Sequence, residues 1–201
     1  MPIQPRLFRV SKIEKATHDV MVYHLVPESG TVAPFVPGQF VNLYLPKEGG
    51  GWDGRPYSIS SSPLDLSHIE LTIKIKQNFT QKVLRLREGD RVGVTGPFGL
   101  FRFDENDPRD AVFIAAGVGI APLLSMIRYA LGKKLRKGLT LFYSNKTVED
   151  ISYDAELRRL ASENPNFKLV NTLTRQQDLR DWHGEYGRIS EPMLRRYIEK
   201  P

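Results

Sequence analysis

Apolar and polar positions alternate in short runs through roughly the first half of the chain. The runs are rich in β-branched and aromatic residues: 7–16 (LFRVSKIEKA), 20–26 (VMVYHLV), 39–45 (QFVNLYL), 57–61 (YSISS), 69–76 (IELTIKIK) and 91–96 (RVGVTG). Turn residues at 27–30, 37–38, 49–51 and 88–90 separate several of them. A period of two over short segments, bounded by Gly and Pro, predicts strands, and six such strands predict a small antiparallel barrel. One helical stretch, 80–87 (TQKVLRLR), interrupts the series, with Thr80 as its expected N-cap. A polar stretch with a proline, 103–110 (FDENDPRD), follows and reads as a linker. Beyond it the rhythm changes. The unbroken apolar run 111–117 (AVFIAAG) predicts a strand buried on both faces. Helix 121–131, strand 139–145, helix 152–164, strand 167–174 and helix 190–200 then alternate. That order predicts a parallel sheet covered by helices. The expected organisation is a β-barrel domain over 1–104 and an α/β domain over 105–201, and an alternating sheet would ordinarily go on to another strand past residue 201.

Composition narrows the function classes. The 201 residues, 40% apolar and 26% charged, match a soluble protein with room for one large or two small cores. No window reaches the ~18–20 apolar residues of a membrane span, and the N-terminus lacks the apolar core of a secretion signal. The cytoplasm is therefore the expected location. Cysteine is absent, which excludes disulfides, thiolate zinc sites and cysteine-held iron–sulfur clusters within this sequence. The histidines, His18, His24, His68 and His183, have no ligand spacing, so no metal site is expected. The net charge of +6 is shared evenly, because residues 1–104 hold 13 Lys and Arg against 10 Asp and Glu. With no basic block, nucleic acid is not the expected partner. The mild excess suits an acidic protein or a phosphorylated cofactor, or only solubility.

Two segments carry candidate chemistry. In 54–63 (GRPYSISSSP), a strand bears a guanidinium, a phenol and several hydroxyls. Arg55 can clamp a diphosphate with its planar fork, Tyr57 can lie against a flat heterocycle, and Ser58 can hydrogen-bond the edge of that ring. Strict alternation puts Tyr57 and Ser58 on opposite faces, so one ligand meets both only along a strand edge or at a bend. An edge strand with a surface arginine and incidental serines fits these residues equally well. In 115–124 (AAGVGIAPLL), Gly117 and Gly119 stand between a strand and a helix, and Pro122 falls in the first helical turn. Backbone amides and a helix N-terminus at such a turn favour phosphate. A plain tight turn fits as well, and Pro122 stands where a dinucleotide fingerprint would have its third glycine.

Taken in order, these segments resemble the ferredoxin–NADP(H) reductase family of flavoproteins. Arg-x-Tyr-Ser-x-Ser at 55–60 is similar to its flavin motif, and 115–122 (AAGVGIAP) to its nucleotide turn. The stretches 37–46 (PGQFVNLYLP), 86–101 (LREGDRVGVTGPFGLF), 141–157 (LFYSNKTVEDISYDAEL), 173–175 (LTR) and 187–189 (GRI) resemble its other landmarks. The resemblance implies a six-stranded flavin barrel joined to a pyridine-nucleotide domain. It implies that Arg55 binds the flavin diphosphate and that Tyr57 stacks on the isoalloxazine. Ser58 would lie near N5, with Ser60 supporting that strand end. Thr80 would face the diphosphate, while Gly117, Gly119 and Pro122 shape the nucleotide turn. Thr174 and Arg175 stand where some members bind the adenosine phosphate. The implied activity is hydride transfer from NAD(P)H to flavin, then single-electron transfer to a separate acceptor: a ferredoxin, a flavodoxin or an oxygenase component, expected to be acidic. The alternative is a flavin-binding module of a larger complex with no autonomous nicotinamide site. FAD is favoured over FMN. NADPH is favoured slightly over NADH, because Ser144-Asn145 supplies no acid for ribose hydroxyls, whereas Ser144, Lys146, Thr174 and Arg175 can offer positive or hydroxyl contacts to a 2′-phosphate; Lys146 fits a solvated loop residue equally well. Two departures stand out. Residues 76–79 (KQNF) replace a glycine-rich approach to Thr80, and the bulk of Gln77 and Phe79 is expected to reshape the diphosphate contact or the adenine end. The family's strand ending in Cys-Gly-Pro, and the helix after it, do not appear before residue 201, for which an incomplete chain is the simpler reading.

Overall fold

The computed structural model describes residues Gln4–Ile198. Six strands form one antiparallel sheet: β1 (Arg6–Lys15), β2 (Val20–Pro27), β3 (Phe40–Pro46), β4 (Trp52–Ser58), β5 (Ile69–Lys74) and β6 (Arg91–Phe98). Their order is β4-β3-β6-β1-β2-β5. A bridge between Ile59 and Leu71, with the Ser60 amide donating to the Glu70 carbonyl at 2.8 Å, brings the end strands together and closes the barrel. Alternation sends Val10, Leu25, Leu43, Ile73 and Val92 into one core. Burial of each such side chain stabilises the fold by about 1.5–3 kcal/mol. β4 starts at Trp52, five residues before the expected start at 57, because Gly54 and Pro56 look like turn residues in the sequence. Proline is tolerated there because β4 is an end strand of the ladder.

The insert helix differs from expectation. Helix α1 covers only Phe79–Val83, and its N-cap position is Asn78, with φ 51° and no side-chain cap. Thr80 lies inside the helix. Its hydroxyl accepts from the Lys76 amide at 2.9 Å and donates to the Gln77 carbonyl at 3.1 Å. Thr80 therefore locks the preceding turn rather than capping a helix over 80–87.

The second sheet is parallel, with order β10-β9-β8-β7. It comprises β7 (Ala111–Ala116), β8 (Leu139–Asn145), β9 (Phe167–Leu173) and the short β10 (Glu185–Tyr186), which the polar stretch around it hides in the sequence. Helices α2 (Ile120–Gly132), α3 (Asp154–Glu163) and α4 (Glu191–Tyr197) complete the chain. The expected tail of the last helix, residues 199 and 200, lies outside the described residues. β7 departs from the expected two-sided burial: Phe113 and Ala115 are buried, whereas Val112 is 42% and Ile114 55% exposed. Apolar composition alone does not separate the two cases, and β7 ends the ladder with β8 as its strand neighbour among the described residues.

The chain forms two compact units. One runs to Glu105 and includes Ala121–Lys134; the other takes Asn106–Ile120 and the chain from Leu135 on. Helix α2 thus groups almost entirely with the barrel, although chain order alone assigns it to the α/β half. Polar contacts tie it there. Ser125 donates to the Ser61 carbonyl at 2.6 Å, and Arg128 Nη1 reaches both the Ser60 carbonyl and Glu70 Oε1 at 2.9 Å. No helix among the described residues is long and apolar enough to cross a membrane.

Candidate functional site

β4 presents Arg55 and Tyr57 two residues apart, hence on one face, in register with Leu43 and Val41 of β3. Beyond Ser58 the chain changes partner. The Ile59 amide donates to Gln39 at 3.0 Å, and the next amide, Ser60, donates to Glu70 on β5 at 2.8 Å. The chain therefore crosses between strands just past Ser58, at the end of a strand on the open edge of the ladder. These are the conditions under which one ligand meets both Tyr57 and Ser58.

Beside this edge lies an open groove of about 700 Å³, lined by Arg55, Pro56, Tyr57 and residues 76–80. The structure brings Arg55, Tyr57 and Thr80 together on it. Ser58, half-buried, sits at its end of the strand outside the groove lining. Ser60 is fully buried, and its hydroxyl donates toward Glu70 (Oε1 at 2.9 Å) and accepts from Thr72 at 3.0 Å. It holds the strand end and cannot reach a cofactor with its side chain.

The groove is electropositive at its lip. Arg55 spends Nη1 on Asp53 Oδ1 at 3.0 Å and on the Gly54 carbonyl at 2.6 Å, which leaves Nη2 and Nε for an anion. Asp53 also faces Lys82 at 3.4 Å, so one carboxylate is shared by two cations. Lys76 also lines the groove. Burial raises the Tyr57 phenol above its ordinary value, with nearby Arg55 pulling the other way, so the ring stays neutral at physiological pH. Phe79 lies under both. Its ring stacks on Tyr57 (centroids 6.3 Å apart, planes at 27°), and the Arg55 guanidinium carbon sits 5.4 Å from its centre. Phe79 is only 4% exposed, so its bulk points into the core and leaves the groove open.

A second cluster stands at the carboxyl edge of the parallel sheet, where α/β proteins bind ligands. Ala116, Ser144 and Thr172 are in register there. The turn Gly117–Gly119 follows β7 and runs into α2. Gly117 needs its residue type for φ 49°; Gly119 does not, and a Cβ built on either meets nothing within 4 Å. Glycine at 119 thus answers neither packing nor backbone strain, and it keeps the backbone open to close approach from outside. Pro122 occupies the first turn of α2, where its lost N–H costs little. Tyr143 donates to the Gly117 carbonyl at 3.1 Å and fixes the turn; burial pushes its phenol up to about 12. Thr174 and Arg175 flank the same edge through backbone bonds to Asn145 and Lys146. Thr174 directs both its amide (3.0 Å) and its hydroxyl (3.1 Å) to the Asn145 carbonyl, so it has no donor left for a phosphate. Arg175 is exposed and keeps its guanidinium.

Residues 7–103 match the model of the oxidoreductase FAD-binding domain, and residues 113–201 that of the oxidoreductase NAD-binding domain. The chain is 33% identical to ferredoxin–NADP reductase B of Sorangium cellulosum, over 82% of this chain and 67% of that protein. The chain belongs to the ferredoxin–NADP reductase-like flavoprotein family. Within that family it is also 31% identical to the reductase component of propane 2-monooxygenase from Rhodococcus jostii, over 89% of this chain and 48% of that protein. Among solved structures, the CS-b5R domains of human Ncb5or in the NAD+ form superpose with a TM-score of 0.84 and 28% identity, over 100% of this chain and 60% of that one. The chain spans about half to two-thirds of the length of the curated relatives it matches. The sequence marks Phe79 by its bulk but gives no such signal at Lys76, which lines the groove, or at Tyr143, which holds the Gly117 turn. Phe79 and Lys76 sit in the stretch that departs from the family pattern, and Tyr143 reads as an ordinary strand aromatic.

Proposed function

We propose that the chain is the flavin and nucleotide part of an NAD(P)H-dependent reductase that passes electrons to a separate protein acceptor. The observation that carries this reading is the convergence of Arg55, Tyr57 and Lys76 on one open groove beside the β4 edge. An anion held by two cations next to a neutral aromatic platform fits a dinucleotide flavin, and two cations suit the diphosphate of FAD better than the single phosphate of FMN. FAD, when bound, supplies the hydride acceptor and the one-electron donor. Arg55 would hold its diphosphate and Tyr57 its ring system, while Ser58 would hydrogen-bond the reactive edge. The turn at Gly117 and Gly119, with Pro122 behind it, would receive the nicotinamide nucleotide. Arg175 and Lys146, both exposed cations on that edge, would favour NADPH, and Ser144-Asn145 offers no carboxylate to ribose hydroxyls. The reductase components among the relatives support an oxygenase or ferredoxin-type acceptor, and the net charge of +6 suits one of acidic surface.

The test starts with purified protein. It should take up FAD more tightly than FMN, bleach anaerobically on addition of NADPH faster than with NADH, and recolour when a one-electron acceptor protein is added. Protein that takes up neither flavin ends the reading. A second reading, a flavin module within a larger assembly, is supported by relatives that are themselves a reductase component and a subunit. Flavin that binds but bleaches only when a partner protein is present would select it.

A further inference from the structure

Phe79 replaces a small residue on the approach to the groove, yet its ring does not crowd it. The side chain does something else. Asn78 takes φ 51°, a left-handed conformation that Asn tolerates better than most residues. The next residue then turns its ring inward, where it reaches 4% exposure. There it meets two groove residues at once, Tyr57 by stacking and Arg55 by a cation over its face. Arg55 is otherwise a long side chain, 55% exposed, and ordering it on ligand arrival would cost entropy. Asp53 on one side and the Phe79 face on the other hold it beforehand. One face of Tyr57 is likewise taken by Phe79, which leaves the other for a flat ligand.

We propose that Phe79 is a positioning residue of the flavin site, a buried ring that sets the Tyr57 platform and the Arg55 clamp in their binding arrangement before the cofactor arrives. The inference rests on the flavin reading above and deepens it. An aliphatic side chain at 79 would fill the same space but would offer neither a quadrupole to the guanidinium nor a π-face to the phenol.

The experiment uses the full chain with Phe79→Leu, and Phe79→Met as the second variant should the first not fold, with folding read by circular dichroism. FAD and riboflavin are titrated separately, because riboflavin lacks the diphosphate and probes the ring platform alone. Phe79→Leu is expected to weaken FAD binding about tenfold and riboflavin binding by less, about threefold. Flavin emission, quenched by a stacked phenol in the wild type, is expected to recover partly. The decisive arm is a double-mutant cycle with Arg55→Ala, which removes an exposed side chain. If Phe79 acts through Arg55, its replacement costs FAD clearly less in the Arg55→Ala background than in the wild type. An unchanged FAD affinity in a folded Phe79 variant, or an equal loss in both backgrounds, overturns the proposal. Wild-type protein that takes up no flavin overturns the underlying flavin reading instead, so the two failures are distinct.

Discussion

Ser58 and Ser60 have the same side chain two positions apart, and the fold assigns them different work. Ser60 is enclosed by Glu70 and Thr72, while Ser58 stays half-buried at the strand end. The motif alone marks both; only the crossing of the chain between β3 and β5 separates them. Ser58→Ala is therefore expected to leave FAD content unchanged and to slow flavin reduction by nucleotide about tenfold, the scale of one lost hydrogen bond. Stopped-flow reduction at the wild-type rate would remove Ser58 from the mechanism. The tyrosines make a pH-dependent statement. Tyr143 and Tyr23 are fully buried, and burial raises both phenols to about 12. In the unfolded chain they ionise near the ordinary value of about 10. Below that pH both states keep the protons and the term is constant. Between pH 10 and 12 the unfolded chain releases protons that the native state retains, so stability falls by up to about 1.4 kcal/mol per pH unit for each phenol. Chemical denaturation across that window should show the loss, and Tyr143→Phe should flatten part of the slope while lowering stability at neutral pH by its lost bond to Gly117. A slope equal to that of the wild type would contradict the burial argument for this residue.

At the scale of elements, the pattern of alternating residues located nearly every strand, because side-chain period survives burial on one face. It failed where a residue type had two meanings. Gly54 and Pro56 delayed the reading of β4, the apolar run of β7 concealed an exposed face, and Thr80 looked like a cap because its hydroxyl partners lie upstream, at 76 and 77. The allegiance of α2 was illegible for a different reason: Arg128 and Glu70 are 58 residues apart, and no local pattern couples them. Their side chains are 19% and 7% exposed, so Arg128→Met would leave a carboxylate buried beside Ser60 without its cation. A loss on the order of 3–5 kcal/mol is expected in denaturant unfolding, partly recovered in the double variant with Glu70→Gln. A loss below about 1 kcal/mol would mean that water reaches the pair. The Gly117–Gly119 turn gives the opposite pattern. Gly119→Ala meets no atom within 4 Å and no left-handed backbone, so the melting temperature should hold or rise slightly. If a dinucleotide approaches the backbone there, the new methyl group should raise KM for NAD(P)H several-fold while FAD affinity stays the same. An unchanged KM would make the turn a structural bend alone.

Across the whole sequence, positive charge is spread without a basic block. The net +6 comes in nearly equal parts from the two halves of the sequence, with 13 cationic against 10 acidic side chains before residue 105. Many of the exposed cations are paired locally, as Arg109 is with Asp107, Arg180 with Asp178 and Arg195 with Glu191. Such pairs are neutral at a distance, so the field a partner meets is the residual excess rather than any one side chain. A diffuse positive field raises the encounter rate with an acidic protein but fixes no docking geometry, and salt screens it with a Debye length of about 8 Å at physiological ionic strength. Two consequences separate the steps of the proposed reaction. Reduction of bound flavin by saturating nucleotide involves no protein encounter and should be nearly insensitive to salt. Second-order transfer to an acidic one-electron carrier should fall about tenfold from low salt to about 0.5 M, and the same measurement with a basic carrier should rise or stay flat. No single Lys or Arg substitution should reproduce the effect of salt, since no single residue produces the field. An acidic carrier whose rate is flat in salt, with the basic carrier falling, would reverse the sign of the partner and leave the flavin chemistry of the groove untouched.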